Sequence, residues 1–442
     1  MTSETTAGRR RHRASRRPTA KLDSRGIGST APSLSANGAL SWLSRLRRSA
    51  LVPGSVVWAF VLSRLVVLGG GALGSLAVAR QPLWQLYDPA QISDRLGAVG
   101  NVLAATSVRW DSLHYLSIAQ YGYRIPGDTV FFPVYPLLTR WLGAVTGSEV
   151  VAGIVISVVS FIVGLTLLHR LTELELGRKA ADAAVLLLAF APLSFFFTAV
   201  YTESLFLALS VGAVYAARRE HWTTAALLAA VCAATRVPGI VVIVPVGWLL
   251  IRSPKSSDWD FGLLALAPVA LFSFLAYLHA RGFGWLAPLK NQIGGAHLHE
   301  FTGSIATVAD GAAAAVAGAR AIFQGMPIFS PSLDGGPFSL GFESIVLFIV
   351  FALALTAVVL CFRRLPVIYG IYSVLALIVV TFSPVAGQPL RGIDRYVLTI
   401  FPLWMAAGSW LVERRFLYLA LALGAGLLFF YSFEFATWAF IA

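Results

Sequence analysis

The chain has 442 residues, a formal net charge of +13, 57% apolar residues and only 12% charged ones. A soluble domain carries about twice that share of charge, and several apolar runs reach the roughly 20 residues that cross a bilayer. A soluble cytosolic enzyme is therefore excluded, and the sequence predicts an all-α, polytopic membrane protein.

Eleven Lys/Arg residues precede residue 51, against only Glu4 and Asp23. A basic segment ahead of a first span marks the cytoplasmic side and attracts anionic membrane lipids, which explains it better than a nucleic-acid partner. Residues 1–50 are expected to be a disordered, basic cytoplasmic tail, and residues 51–442 a single membrane domain. The first apolar run, over 51–79, is long enough to stay as an anchor rather than leave as a cleaved leader. Cys232 and Cys361 lie inside apolar runs, where packing is expected rather than a disulfide.

A loop over 80–149 follows on the non-cytoplasmic side and is too long for a connector. Within it, 89–120 alternates at near-helical spacing, which predicts amphipathic helices at the membrane surface. Spans over 150–168, 180–200 and 204–217 come next, with His169-Arg170, Arg178-Lys179 and Arg218-Arg219 on the inside. The run over 222–251 is broken at Arg236-Val237-Pro238-Gly239. It reads as one span or as two short helices, and proline and the charge rule favour two, packed against protein. A span over 261–280 leads to a second outer loop, 281–343, with a helix near 309–321. Spans over 344–362, 365–382, 396–412 and 416–435, with a third outer loop over 383–395, bring the count to about 11 crossings.

The chemistry gathers in the first loop, at Arg109-Trp110-Asp111-Ser112-Leu113-His114-Tyr115. If this stretch is helical, Asp111, His114 and Tyr115 share one face at i, i+3 and i+4. A carboxylate beside an imidazole can take a proton from a hydroxyl; equally, Asp111 can simply open a helix. Trp110, Tyr115 and Tyr123 offer stacking faces, and Tyr135 lies in a stiff aromatic re-entry, 131–136, that also suits packing. Glu203 stands with Tyr201 in a tight polar turn between two spans. Arg236, in an apolar run, needs a partner: a lipid phosphate, Glu203 or a backbone carbonyl. Arg391 and Arg395 also fall on the outer side, Arg395 between Asp394 and Tyr396. A phosphate ligand is the favoured explanation for these arginines and an Arg395–Asp394 pair the alternative. His297, His299 and Glu300 form a short cluster too weak to assign a metal. No nucleotide-binding fingerprint is evident.

The stretch from Trp110 to Ala119, then Gly122-Tyr123, then Phe131 to Leu137, resembles the PIG-V family of mannosyltransferases. The segments around 192–206 and Arg236, and Asp394-Arg395-Tyr396, are similar to later elements of that family, so the resemblance covers most of 51–412 in order. It implies a GT-C-like bundle in the cell membrane, active on its outer face. It also implies inverting transfer of a sugar, commonly mannose, from a polyprenyl-phosphate donor to a lipid or glycan acceptor. Asp111 occupies the place of the catalytic residue. With Trp110 and Ser112 flanking it, one carboxylate without a metal or other cofactor is the simpler assumption, although a divalent ion is left open. In this reading His114 orients Asp111 or the acceptor. Trp110, Tyr115 and Tyr123 stack on sugar, and Arg236 and Arg395 hold the phosphate. Tyr135, Tyr201, Glu203, Arg391 and Tyr396 complete the candidate binding set. The rival reading is a transporter or flippase for a lipid-linked sugar. It explains the spans and outer arginines, but not the gathering of polar aromatic residues in one loop, and no duplicated halves are seen.

Overall fold

The computed structural model describes residues 52–81, 84–292, 300, 302–330 and 336–441. The basic tail over 1–50 and the His297/His299 pair lie outside the described residues. Residues Val52–Ala442 form one unit. Among the described residues there is no strand, only two isolated bridges, Phe329 to Phe338 and Val385 to Gln388.

The longer helices are α1 (Gly54–Ala77), α2 (Asp111–Tyr121), α3 (Val134–Thr146), α4 (Glu149–Leu176), α5 (Arg178–Ala189), α6 (Glu203–Arg218) and α7 (Trp222–Ala233). They continue with α8 (Ile243–Ile251), α9 (Leu266–Ala280), α10 (Ser304–Phe323), α11 (Leu340–Arg364), α12 (Val367–Thr381), α13 (Phe401–Arg414) and α14 (Leu417–Ala436). Six helices among the described residues are long and apolar enough to cross a membrane: Gly54–Ala77, Glu149–Leu176, Asp258–Ala280, Ser304–Phe323, Leu340–Arg364 and Leu417–Ala436. The chain is a multi-pass membrane protein. The expected crossings thus divide into these full-length helices and a set of shorter ones.

The short helices have identifiable causes. The span expected over 180–200 stops at Ala189, because Pro192 cannot continue a helix; Ser194–Phe197 then forms a 3-10 turn with all its residues buried. The guanidinium of Arg64, on α1, donates to the freed carbonyls of Ala189 (3.3 Å) and Ser194 (2.9 Å). Backbone that leaves the helix inside a membrane protein must find such partners within the protein. The run over 222–251 is two helices, as the proline and charge argument favoured. Arg236 is extended, and Val237–Val242 is a 3-10 turn. The break folds back so tightly that a Cβ on Gly239 would lie 2.0 Å from the Cys232 carbonyl oxygen.

The helix expected near 309–321 is longer, the 20 residues of α10, and packs along α11. Only Asp310 and Arg320 are charged within it, which is why it counts among the six helices long and apolar enough to cross a membrane. The first loop does hold short helices, but they differ in burial. Gly97–Leu103 has no buried residue, whereas α2 buries Ser112, Tyr115, Leu116, Ile118 and Ala119. Helix α6 is buried along nearly its whole length between α4 and α7, so its first residue, Glu203, sits deep beneath the loops.

Candidate active site

The loop that carries Asp111 is fixed before it reaches that residue. The Val200 amide donates to Ser107 O (2.8 Å), and the Tyr201 hydroxyl donates to Arg109 O (3.0 Å). Arg109 is itself buried, donating to Val108 O (2.7 Å) and to Ala436 O at the end of α14. Trp110 has φ +53°, a region that side chains other than glycine rarely adopt, at a cost of about 1–3 kcal/mol. Its ring explains how the conformation persists. It packs on Tyr87 (4.5 Å between centroids) and Phe440 (4.9 Å), and its indole N–H donates to Ala439 O (3.2 Å). Helix α2 then starts at Asp111, so the helix-opening and chemical readings of this residue are both open to it.

A ladder of charge runs inward from Asp111. Arg395 Nη1 donates to Asp111 Oδ2 (2.8 Å), and Arg395 Nε donates to Glu203 Oε1 (2.6 Å). Arg236 Nη1 donates to the same Glu203 oxygen (3.1 Å). The Arg395 side chain lies over the rings of Tyr201 (4.5 Å) and Phe196 (5.0 Å), and that of Arg236 over Tyr396 (4.9 Å). Glu203 is fully buried, while the Asp111 side chain keeps 32% of its surface exposed. Two cations and two carboxylates alternate, with only the outermost carboxylate open to solvent. Burial works against the Arg395 charge, yet Glu203 and Asp111 more than offset it and hold the group well above its ordinary pKa. Next to it, burial pushes the Asp394 carboxyl up to about 6.

Asp111 opens into a cavity of about 1010 Å³. Its polar wall carries Trp110, Asp111, His114, Tyr115, Arg236, Arg391, Arg395 and Tyr396; its apolar wall includes Val237, Pro238, Ile378, Val379 and Phe382. The size and the mixture, few polar groups on an apolar surround, suit a small-molecule or lipid-headgroup site.

The structure separates the sequence candidates. Tyr123 and Tyr135 do not line the cavity. Tyr123 is buried and donates to Phe131 O (2.7 Å); Tyr135, also buried, packs its hydroxyl between Gly153 O (2.8 Å) and Ser157 Oγ (2.7 Å). Sugar stacking by Tyr123 is therefore corrected to core packing. Tyr201 and Glu203 lie behind the wall, supporting Arg109 and the two arginines. His114 does not orient Asp111 through the bond the structure gives it: its Nδ1 lies 3.1 Å from Asp128 Oδ1. The Arg395–Asp394 side-chain pair is not formed; Asp394 accepts from the Arg395 backbone N–H instead (2.9 Å). Arg391 lies over the Phe440 ring, 4.3 Å from its centroid. Among the described residues no group of three or more His, Cys, Asp or Glu could hold a metal ion. Sequence reasoning missed Asp128. It lies in Pro126-Gly127-Asp128-Thr129, which reads as an ordinary turn, and helix α2 ends at Tyr121, between it and His114, so no periodic spacing links the two.

Part of this site lies in a segment that matches a known family. Residues 56–253 match the family model Mannosyltransferase (PIG-V). The chain is 31% identical over 220 residues to GPI alpha-1,6-mannosyltransferase 2 of Mus musculus, covering 43% of each chain. It is 32% identical over 186 residues to the Homo sapiens protein of the same name, covering 39% of this chain and 37% of that one. The matches thus span about two fifths of the length of these curated relatives. Among solved structures, the Archaeoglobus fulgidus oligosaccharyltransferase aligns over 90% of this chain and 56% of its own, with TM-score 0.42 and 13% identity. Residues 56–253, which carry Asp111, His114, Glu203 and Arg236, thus match the PIG-V mannosyltransferase family, while Arg391 and Arg395 lie beyond the match.

Proposed function

We propose that the protein is a membrane glycosyltransferase that moves a hexose, mannose by its relatives' name, from a polyprenyl-phosphate donor to a hydroxyl of a lipid or glycan acceptor. The observation that carries the reading is the position of Asp111: partly exposed on a large cavity, and tied by Arg395 to a buried Glu203 that also anchors Arg236. The donor phosphate sits toward Arg236 and Arg395, with its isoprenoid along the apolar wall. Asp111 takes the proton of the acceptor hydroxyl. The oxygen forms a bond to the anomeric carbon as the bond to the phosphate oxygen breaks on the opposite face, so the configuration inverts. The leaving group is the polyprenyl phosphate, and the fixed guanidinium charges compensate the negative charge that grows on it. Groups held in place before reaction supply this kind of stabilisation without reorganising. The cavity faces the non-cytoplasmic side in this reading, consistent with the basic residues that end α6 and α11.

The test is Asp111→Asn, assayed in detergent with radiolabelled polyprenyl-phosphate mannose and membranes from a strain lacking the protein as the source of acceptor. Transfer falls by about 10²–10⁴-fold, the usual share of general-base help. Normal protein abundance with full transfer would remove Asp111 from the base role. Wild-type protein that carries the labelled lipid across a bilayer and never transfers its sugar would favour the transporter reading.

A further inference from the structure

His114 and Asp128 form a couple that the transfer step above leaves unused. Asp128 is 2% exposed, in the 3-10 turn Pro126–Val130, and its Oδ1 lies 3.1 Å from His114 Nδ1. An ionised carboxylate only accepts, so the ring donates from Nδ1 and keeps Nε2 as its acceptor. The imidazole lies flat on Phe131, with centroids 4.7 Å apart and planes 14° apart. Its side chain is 39% exposed, on the wall that also carries Asp111. Ring placement is set by the protein before any substrate arrives, and a carboxylate at Nδ1 favours the Nδ1–H tautomer. On α2, Asp111 and His114 are three residues apart and so are neighbours on one face, about 5–6 Å between Cβ atoms.

We infer that Asp128 is a positioning residue that makes His114 the second proton acceptor of the site, an inference that rests on the glycosyl-transfer reading. The proton that Asp111 removes from the acceptor hydroxyl passes to His114 Nε2. Asp111 is again a carboxylate and re-forms its pair with Arg395. The imidazolium, facing Asp128 through Nδ1–H, releases the proton to water in the cavity. One proton leaves the hydroxyl and one reaches solvent. The charged groups around the ring agree with this direction. Asp128 faces it from the turn and Asp111 from its own helix. The cations across the cavity, Arg395 and Arg236, are held by Asp111 and Glu203. In a site built this way a carboxylate holds the imidazole in one tautomer and stabilises its protonated form.

Two measurements test it. In protein labelled with nitrogen-15 histidine, assigned by comparison with His114→Gln, the neutral His114 ring shows the Nδ1–H tautomer, and Asp128→Asn abolishes that bias; an Nε2–H tautomer in the unsubstituted protein overturns the inference whatever the activity. In the transfer assay, Asp128→Asn lowers kcat roughly tenfold or more, with the KM for the labelled donor within about twofold. Asp128→Glu recovers part of the rate, and His114→Gln lowers kcat at least as far as Asp128→Asn. An unchanged kcat in Asp128→Asn, or in His114→Gln, overturns the inference while leaving glycosyl transfer intact. A wild-type protein that transfers no sugar defeats the transfer reading itself, and the relay with it.

Discussion

At the scale of single residues, the site depends on a carboxylate behind the cavity wall. Glu203 is fully buried, and one of its oxygens accepts from both Arg395 and Arg236. Removing one partner of a buried ion pair costs about 3–5 kcal/mol, because the other charge stays uncompensated. Glu203→Ala takes the carboxylate from Arg236 and leaves Arg395 with Asp111 alone. Its thermal unfolding midpoint in detergent falls well below that of the wild type, and an unchanged midpoint would show that the pairs are not structural. Arg395 makes the complementary case. Its Nε serves Glu203 and its Nη1 serves Asp111, a fork that a lysine ammonium cannot reproduce. Arg395→Lys keeps the charge and the fold but loses roughly tenfold or more of transfer; wild-type turnover in that variant would mean that charge alone suffices. Much of this was legible in the sequence. An arginine in an apolar run demands a partner, and Glu203 was one of three offered for Arg236. What the sequence could not supply was Arg395, at 192 residues from Glu203, as the link between Glu203 and Asp111. Pairing at that separation follows from packing, which no local spacing encodes.

At the scale of elements, the short helices are what bring these residues together. Helix α5 ends early and the chain turns through Ser194–Phe197, which delivers Tyr201, Thr202 and Glu203 under the loop that carries Asp111. The break between α7 and α8 delivers Arg236. Proline marks both breaks in the sequence, and the second was read correctly from it. The first was not, because a 21-residue apolar stretch over 180–200 has the length of a span and proline is tolerated in many membrane helices. The surrounding protein decides the outcome: Arg64 reaches the carbonyls that the break exposes. Gly239 tests the second break. A methyl group there meets the Cys232 carbonyl at 2.0 Å, so the turn must open. Gly239→Ala is expected to destabilise by about 1–3 kcal/mol or more and to reduce transfer by moving Arg236 away from Glu203. A Gly239→Ala protein with wild-type melting and turnover would show that the turn yields without cost.

At the scale of the whole molecule, the chain closes on itself at the site. Helix α14 packs along α1, so closely that a Cβ on Gly74 would lie 2.4 Å from Phe433 O. The residues after α14 therefore return to the loop that follows α1. There the Gln81 amide donates to Thr437 O (2.8 Å), Arg109 lies over Trp438, and Trp110 is held by Ala439 and Phe440. These contacts oppose the strain at Trp110. Each aromatic pair contributes about 0.5–1.5 kcal/mol beyond its buried area and the indole bond about 1 kcal/mol, together comparable to the roughly 1–3 kcal/mol cost of the φ +53° backbone. Asp111 is the next residue, so its direction depends on that balance. A chain ending at Ala436 keeps every helix described above, and its circular dichroism should match the full-length protein. Without Ala439 and Phe440, Trp110 relaxes toward an ordinary backbone conformation, Asp111 turns from Arg395, and transfer falls roughly tenfold or more. The fluorescence of Trp110, read against a Trp110→Phe control in both lengths, shifts toward that of a solvent-exposed indole. A shortened protein with full turnover and an unshifted Trp110 spectrum would show that the loop holds its shape from Tyr87 and Tyr201 alone.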